Sequence, residues 1–190
     1  MRTLRVSLMG TVILVLVCAP VALAQAEEAP DPMAPAIVTI DPVAEPNDVI
    51  EQGTFTGAVG GDWRLEDLRQ EWVWEATDPR LSGVVTTVDN WYTWVVPSGQ
   101  EMTVEPGTYE LVNDGGRWTG TGTGLSIDVA DLPHGQLVSG MILLSGEDGY
   151  EGLSALIHTD WSAPEEPPVI YGVIFPGEMP YPEPPEPSAE

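Results

Sequence analysis

Histidine is the side chain best suited to acid–base chemistry near neutral pH, and this chain contains two, His134 and His158. Neither stands at a metal-binding spacing such as H-x-x-x-H or H-E-x-x-H, so the sequence predicts no metal site. His158 shares its side-chain parity with Asp160, so the pair could relay a proton, although a structural hydrogen bond is the preferred interpretation. Ser154 lacks the second glycine of a nucleophile elbow, which argues against a serine hydrolase. We therefore predict no catalytic residue and no cofactor.

Carboxylates are too frequent to be diagnostic, because the chain has 30 Asp and Glu residues. Two of them close together in sequence therefore do not indicate the paired acids of a glycosidase. Glu147, Asp148 and Glu151 do not match a known loop of calcium ligands, and we interpret them as a solvated turn.

Aromatic residues are the most distinctive candidates, with seven tryptophans in the chain. Each aromatic side chain buries about 150–250 Å², so the tryptophans either fill a core or line a ligand cavity. Core filling is the preferred interpretation, because only two phenylalanines share the packing. If the fold is hollow, we predict a cavity for an apolar or sugar-like molecule, lined by Trp72, Trp74, Trp94 and Trp118.

The elements that hold these side chains have a period of two rather than 3.6. In Glu71–Ala76 the carboxylates and the tryptophans alternate, as in a strand with one wet face and one buried face. Tight hairpin turns are predicted at Asp89-Asn90 and at Asn113–Gly116. The one candidate helix is Asp62–Gln70, capped by its first residue. The other predicted strands are Thr54–Val59, Gly83–Val88, Trp91–Val96, Gly107–Val112, Arg117–Thr123, Gln136–Leu144, Leu153–Trp161 and Val169–Phe175.

Short antiparallel strands joined by tight turns form either a sandwich or a barrel. The run Trp118–Gly124 places a tryptophan and glycines on one face and threonines on the other. Glycines on one face leave room for bulky side chains from opposite strands and let the strand bend, as a small barrel interior requires. The run is not a dinucleotide-binding loop, because Leu125 stands where that fingerprint requires glycine. We therefore predict an all-β fold, a single antiparallel β-barrel of about eight strands similar to that of lipocalins.

The N-terminus has the features of a cleavable signal peptide, with Arg2 and Arg5 before the apolar stretch Val6–Val17. That stretch is shorter than the roughly 20 residues that cross a bilayer, so cleavage after Ala24 is preferred over a membrane anchor. Cys18 follows a valine, where a lipoprotein signal requires Gly or Ala, so lipid attachment is not predicted.

The predicted organisation is a signal peptide at 1–24, a flexible acidic Pro- and Ala-rich leader at 25–50, the barrel at 51–175 and a disordered acidic Pro-rich tail at 176–190. The mature protein is expected outside the cell, or in the periplasm if the host has an outer membrane. The formal net charge is −24 and becomes more negative when Arg2 and Arg5 are removed with the signal peptide. Such a chain repels nucleic acids and anionic membranes, so we expect neither as a partner.

One segment, Ser139–Leu153, resembles the pattern of strand, glycine turn, aromatic and glycine near the end of allene oxide cyclase and dirigent-type barrels. The resemblance covers about a tenth of the chain and implies the barrel fold, with no catalytic position carried over. In addition, Asp78–Gly83 together with Gly116–Gly120 is similar to segments of uncharacterised secreted bacterial proteins.

Two functions from different classes follow. The first is a non-catalytic binding or interaction module, which is favoured because it needs no unseen residues. The second is a cyclase-like barrel enzyme that acts on a lipophilic small molecule by positioning it and excluding water. A cavity that contains a buried carboxylate or His158 would favour the enzyme, whereas a filled core would disfavour both the ligand-binding barrel and the enzyme.

Overall fold

The computed structural model describes residues 31–58, 61–129, 135–162 and 168–179, without the side chains of residues 43–48. The predicted signal peptide, Cys18, His134 and most of the predicted tail lie outside these residues. Within them, the secondary structure is almost all strand, with two 3-10 turns at Pro79–Leu81 and Asp148–Tyr150 and no α-helix. The strands are β1 (Ala36–Gly57), β2 (Trp63–Ala76), β3 (Gly83–Val95), β4 (Glu101–Asn113), β5 (Gly116–Asp128), β6 (Gln136–Glu147), β7 (Leu153–Asp160) and β8 (Val169–Pro176).

The strands form one antiparallel sheet that closes into a ring. Each strand pairs with the next along the chain, and β8 pairs with β1. No strand in the described part of the sheet is therefore an edge strand. The predicted all-β, antiparallel fold is therefore confirmed. Alternation along each strand sends one set of side chains inside the ring and the other outside. In β2, for example, Trp74 is buried whereas Glu75 is exposed, as the sequence pattern predicted.

The glycine run of β5 faces the interior, as the alternation of its side chains predicts. A Cβ added at Gly122 would lie 2.6 Å from Cε2 of Tyr109, and one at Gly124 would lie 3.2 Å from the Glu105 side chain. The contact at Gly122 is closer than real side chains allow and the one at Gly124 is tight, so these glycines make space for large residues of β4, the neighbouring strand, rather than for side chains from opposite strands as predicted. The predicted turn at Asn113–Gly116 is also confirmed, since it joins β4 to β5.

The helix predicted at Asp62–Gln70 is wrong, because this segment forms the start of β2. A β-bulge between Leu65 and Leu68 shifts the pairing with β3, and Asp67 there adopts a left-handed backbone (φ 59°). The extra residue places Leu65 and Leu68 three residues apart, which imitates helical spacing in the sequence.

The turn predicted at Asp89-Asn90 is also wrong, because β3 continues through it. The pair has no glycine to supply the positive φ of a tight turn. Instead, Asp89 pairs with Gly107 of β4, and a Cβ on that glycine would lie 2.3 Å from the Asp89 carboxylate. The glycine on the partner strand thus accommodates the acid within a continuous ladder.

The sheet begins earlier than predicted, since β1 starts at Ala36 inside the segment assigned to a flexible leader at 25–50. Val38 and Ile40 are buried in the core, whereas Ile37 and Thr39 point outward and are exposed. Prolines and acids surround this short alternating run, and their composition led to the prediction of a flexible segment. Pairing with both β2 and β8 then stabilises the strand.

One end of the ring is closed by packed side chains and hydrogen bonds. Trp118 stacks on Tyr150 with ring centroids 5.2 Å apart, and its Nε1 donates to the Arg80 carbonyl at 2.8 Å. The Asn113 Nδ2 donates to the Ser82 carbonyl at 2.7 Å, and its Oδ1 accepts from the Tyr150 hydroxyl at 2.7 Å. The segments Asp78–Gly83 and Gly116–Gly120, singled out in the sequence, therefore meet at this closed end.

Candidate functional site

Beyond the packed end, the interior of the ring contains a cavity of about 340 Å³. Five aromatic side chains, from three strands and the residue after β7, line this cavity. They are Trp72, Trp74, Trp91, Tyr109 and Trp161. Trp161 is partly exposed and lies 6.2 Å from Trp72 between ring centroids, so it marks the edge where the cavity meets solvent. The wall suits a flat apolar group, because aromatic faces offer a large contact area.

The four tryptophans predicted to line a cavity divide into two groups. Trp72 and Trp74 do line it. Trp118 does not, because it is 0 % exposed and fills the packed end. Trp94 does not either, since it lies on the outward face of β3 and is 42 % exposed. The predictions for Trp94 and Trp118 are therefore wrong. Trp94 points out of the ring, and Trp118 lies at the packed end of the ring rather than at the level of the cavity.

The residues that sequence reasoning missed are Trp91, Tyr109, Trp161, Asp89 and Glu105, all of which line the cavity. A signal for two of them was present, because Asp89 and Trp91 share the parity of the buried residues Val85 and Thr87. The turn predicted at Asp89 interrupted that parity. Glu105 could not be distinguished in the sequence from the many other acids of the chain.

Asp89 is held in place inside the ring by its neighbours. The Thr87 hydroxyl donates to its Oδ2 at 2.6 Å. Burial raises the pKa of Asp89 above its usual value, and the hydrogen bond from Thr87 opposes that rise. The protein therefore keeps a carboxyl group in a place where its charged form is poorly solvated.

Glu105 lies near Asp89 in the same cavity. Burial raises its pKa, and the negative charge of Asp89 adds to the rise. Burial also raises the pKa of Tyr109, with further contributions from both acids, so its phenol stays protonated. None of the described residues that line the cavity is Lys, Arg or His. The two acids thus share an interior that provides no positive charge from the protein.

Asp89→Asn is expected to stabilise the protein by about 1 kcal/mol at pH 7. Because the folded-state pKa of Asp89 is raised, the wild-type protein loses stability as pH rises through that pKa. The gain should therefore shrink on acidification and vanish where the carboxyl is protonated in both the folded and the unfolded protein. Urea unfolding of both proteins from pH 3 to pH 8 measures this. Glu75→Gln, on the exposed outer face of β2, is the matched control and should show no such gain. A destabilised Asp89→Asn protein at pH 7 would contradict the expectation.

The other candidate groups lie outside the cavity. His158 Nε2 lies 3.1 Å from the Ser139 hydroxyl, and its ring is 5.0 Å from that of Tyr171. Asp160 accepts a hydrogen bond from the Ser162 amide at 2.9 Å, with no hydrogen bond to His158 among the described residues. The proton relay considered for this pair is therefore not assembled. Among the residues with described positions, no three His, Cys, Asp or Glu side chains group in a way that could hold a metal ion.

No protein-family model, curated protein or solved structure matches the chain. In the described part of the chain, no helix has the length and apolar character needed to cross a bilayer. The aromatic cavity and its two acids are therefore the basis for any inference about function.

Proposed function

We propose that this protein is a binding module that holds a small, largely apolar molecule inside a β-barrel of the lipocalin or allene oxide cyclase kind. The observation that carries the proposal is the aromatic cavity of about 340 Å³ within a closed antiparallel sheet. A packed core would have left no such space. Aromatic walls with a few inward polar groups are typical of small-molecule sites.

The proposal includes export from the cytoplasm, which the N-terminal pattern of Arg2, Arg5 and Val6–Val17 supports. The net charge of −24 supports the exclusion of nucleic acids and anionic membranes as partners. Under this proposal, the ligand meets the protein outside the cytoplasm.

A second candidate is a cyclase-like enzyme that acts on a lipophilic molecule. It is favoured by one observation, which is that the cavity contains Asp89 and Glu105 with raised pKa values. A carboxyl group with a raised pKa keeps its proton to a higher pH and so suits the role of a general acid. Binding remains the first proposal because it requires only the walls, whereas catalysis also requires a reacting atom next to an acid.

The proposal is tested by titration with N-phenyl-1-naphthylamine, a neutral apolar dye that fluoresces on leaving water. We expect the wild-type protein to bind it, and Trp72→Ala to bind it about tenfold more weakly, since a stacking face is lost. Trp94→Ala removes an exposed tryptophan that does not line the cavity and should bind as the wild type does. Equal binding by all three proteins would contradict the proposed site.

Native mass spectrometry of protein purified from its host detects a retained molecule, and chromatography of that molecule before and after incubation with the protein separates the two candidates, because a cyclisation leaves the mass unchanged. A molecule with the same retention time after incubation supports binding, whereas a new product peak supports the enzyme. If the protein is the enzyme, Asp89→Asn should abolish this conversion.

A further inference from the structure

We infer that the ligand of this cavity carries a positively charged amine, which lies against the aromatic wall and is neutralised by Asp89 and Glu105. The inference rests on the proposed function and names the class of molecule that the cavity takes.

Charge balance is the first argument. The two carboxyl groups lie in one cavity whose described lining residues include no cationic side chain. A ligand that enters expels water from these groups, and an uncompensated buried charge is costly. A neutral apolar ligand would increase that cost, and an anion would add repulsion. An ammonium group instead supplies the missing charge together with hydrogen-bond donors.

Glycines on the paired strands leave space for the side chains of the two acids. A Cβ at Gly107 would lie 2.3 Å from Oδ1 of Asp89, and one at Gly124 would lie 3.2 Å from Glu105. Thr87 orients the Asp89 carboxylate through a 2.6 Å hydrogen bond. Glu105 accepts no hydrogen bond from any residue whose position the structure describes, so its oxygens are available to a ligand. The carboxylates are thus held inside the ring, in contrast to the many acids on its surface.

The aromatic faces are the third argument. Tryptophan attracts a cation most strongly among aromatic side chains, and more so where water is excluded. Trp72, Trp74 and Trp91 line the same cavity as the two acids, so one ammonium group can contact an aromatic face and a carboxylate together. The net charge of −24 also draws cations towards the protein and repels anions.

Three probes that differ in one polar group test the inference: 4-phenylbutylamine, 4-phenyl-1-butanol and 4-phenylbutyrate. Each is titrated against the protein and N-phenyl-1-naphthylamine at pH 7.5 and low ionic strength. We expect the amine to displace the dye at least about tenfold more effectively than the alcohol, and the carboxylate to be the weakest.

Charge-neutral variants identify the groups responsible. Asp89→Asn and Glu105→Gln should each weaken amine binding by about tenfold, with little effect on the alcohol. Glu75→Gln removes one negative charge from the exposed outer face of β2 and should leave the preference for the amine intact. Loss of the preference in Glu75→Gln to the same degree would show that only the overall charge matters, which overturns the inference.

The outcomes separate the inference from the proposed function. If amine and alcohol bind the wild-type protein equally, the inference is overturned while cavity binding stands. If glucose displaces the dye and the amine does not, the acids accept sugar hydroxyls, which also overturns it. If the dye binds Trp72→Ala as well as the wild type and no probe displaces it, the proposed function itself fails.

Discussion

Trp118→Ala is expected to lower the free energy of unfolding by about 3–5 kcal/mol, the range for removing a large aromatic side chain from a core. Trp118 is 0 % exposed at the closed end of the ring and stacks on Tyr150. Its removal leaves a void between packed strands and deprives the Arg80 carbonyl of the indole donor at 2.8 Å. Urea unfolding followed by far-ultraviolet circular dichroism measures the loss.

Trp94→Ala is the matched control, because it deletes the same side chain from an outward position that is 42 % exposed. Its effect should be about 1 kcal/mol or less. If the two variants lost the same stability, Trp118 would not occupy a packed core. If the dye bound to Trp118→Ala far more weakly than expected from its folded fraction, Trp118 would belong to the cavity after all.

Arg80→Ala is expected to cost about 2–3 kcal/mol, which is below the range for removing one partner of a fully buried ion pair because this pair is partly exposed. The side chains of Arg80 and Asp78 are only 14 % and 16 % exposed. The guanidinium donates from Nε and Nη2 to the Asp78 carboxylate, at 3.0 and 2.7 Å. Its Nη1 donates to the carbonyls of Pro32 and Ala34, at 2.7 and 3.0 Å. Removing the Arg80 side chain therefore takes two donors from the Asp78 carboxylate, which keeps only the backbone N–H of residue 80, and leaves the two carbonyls without their guanidinium donor.

The effect of Arg80→Ala should depend on pH in a defined direction. The hydrogen bond from Arg80 holds the pKa of Asp78 below its usual value. The resulting stability is present above the usual pKa of about 4 and is lost as pH falls through the lowered one. The difference between wild type and Arg80→Ala should therefore shrink at acid pH. The control is Arg117→Ala, whose exposed pairing with Glu147 is screened by water and should matter far less. A larger loss in Arg117→Ala would contradict this account.

Local patterns that depend on one strand and its turn were predictable. The alternation in Glu71–Ala76 and the turn at Asn113–Gly116 describe neighbours in sequence, and both match the structure. The inward glycines of β5 were predictable for the same reason, because spacing by two places them on one face. The missed features involve a second strand. The bulge at Asp67 and the continuous ladder at Asp89 are decided by pairing partners distant in sequence.

The sequence by itself determined that the fold is all-β, which side chains alternate across each strand, and that the chain is strongly acidic. Only the tertiary structure decided which tryptophans meet in the cavity and which fill the closed end. It also decided that two acids, Asp89 and Glu105, lie inside the ring opposite glycines. The physical reason is that alternation sets which face a residue occupies, whereas closure of the sheet sets its height and its partners across the interior.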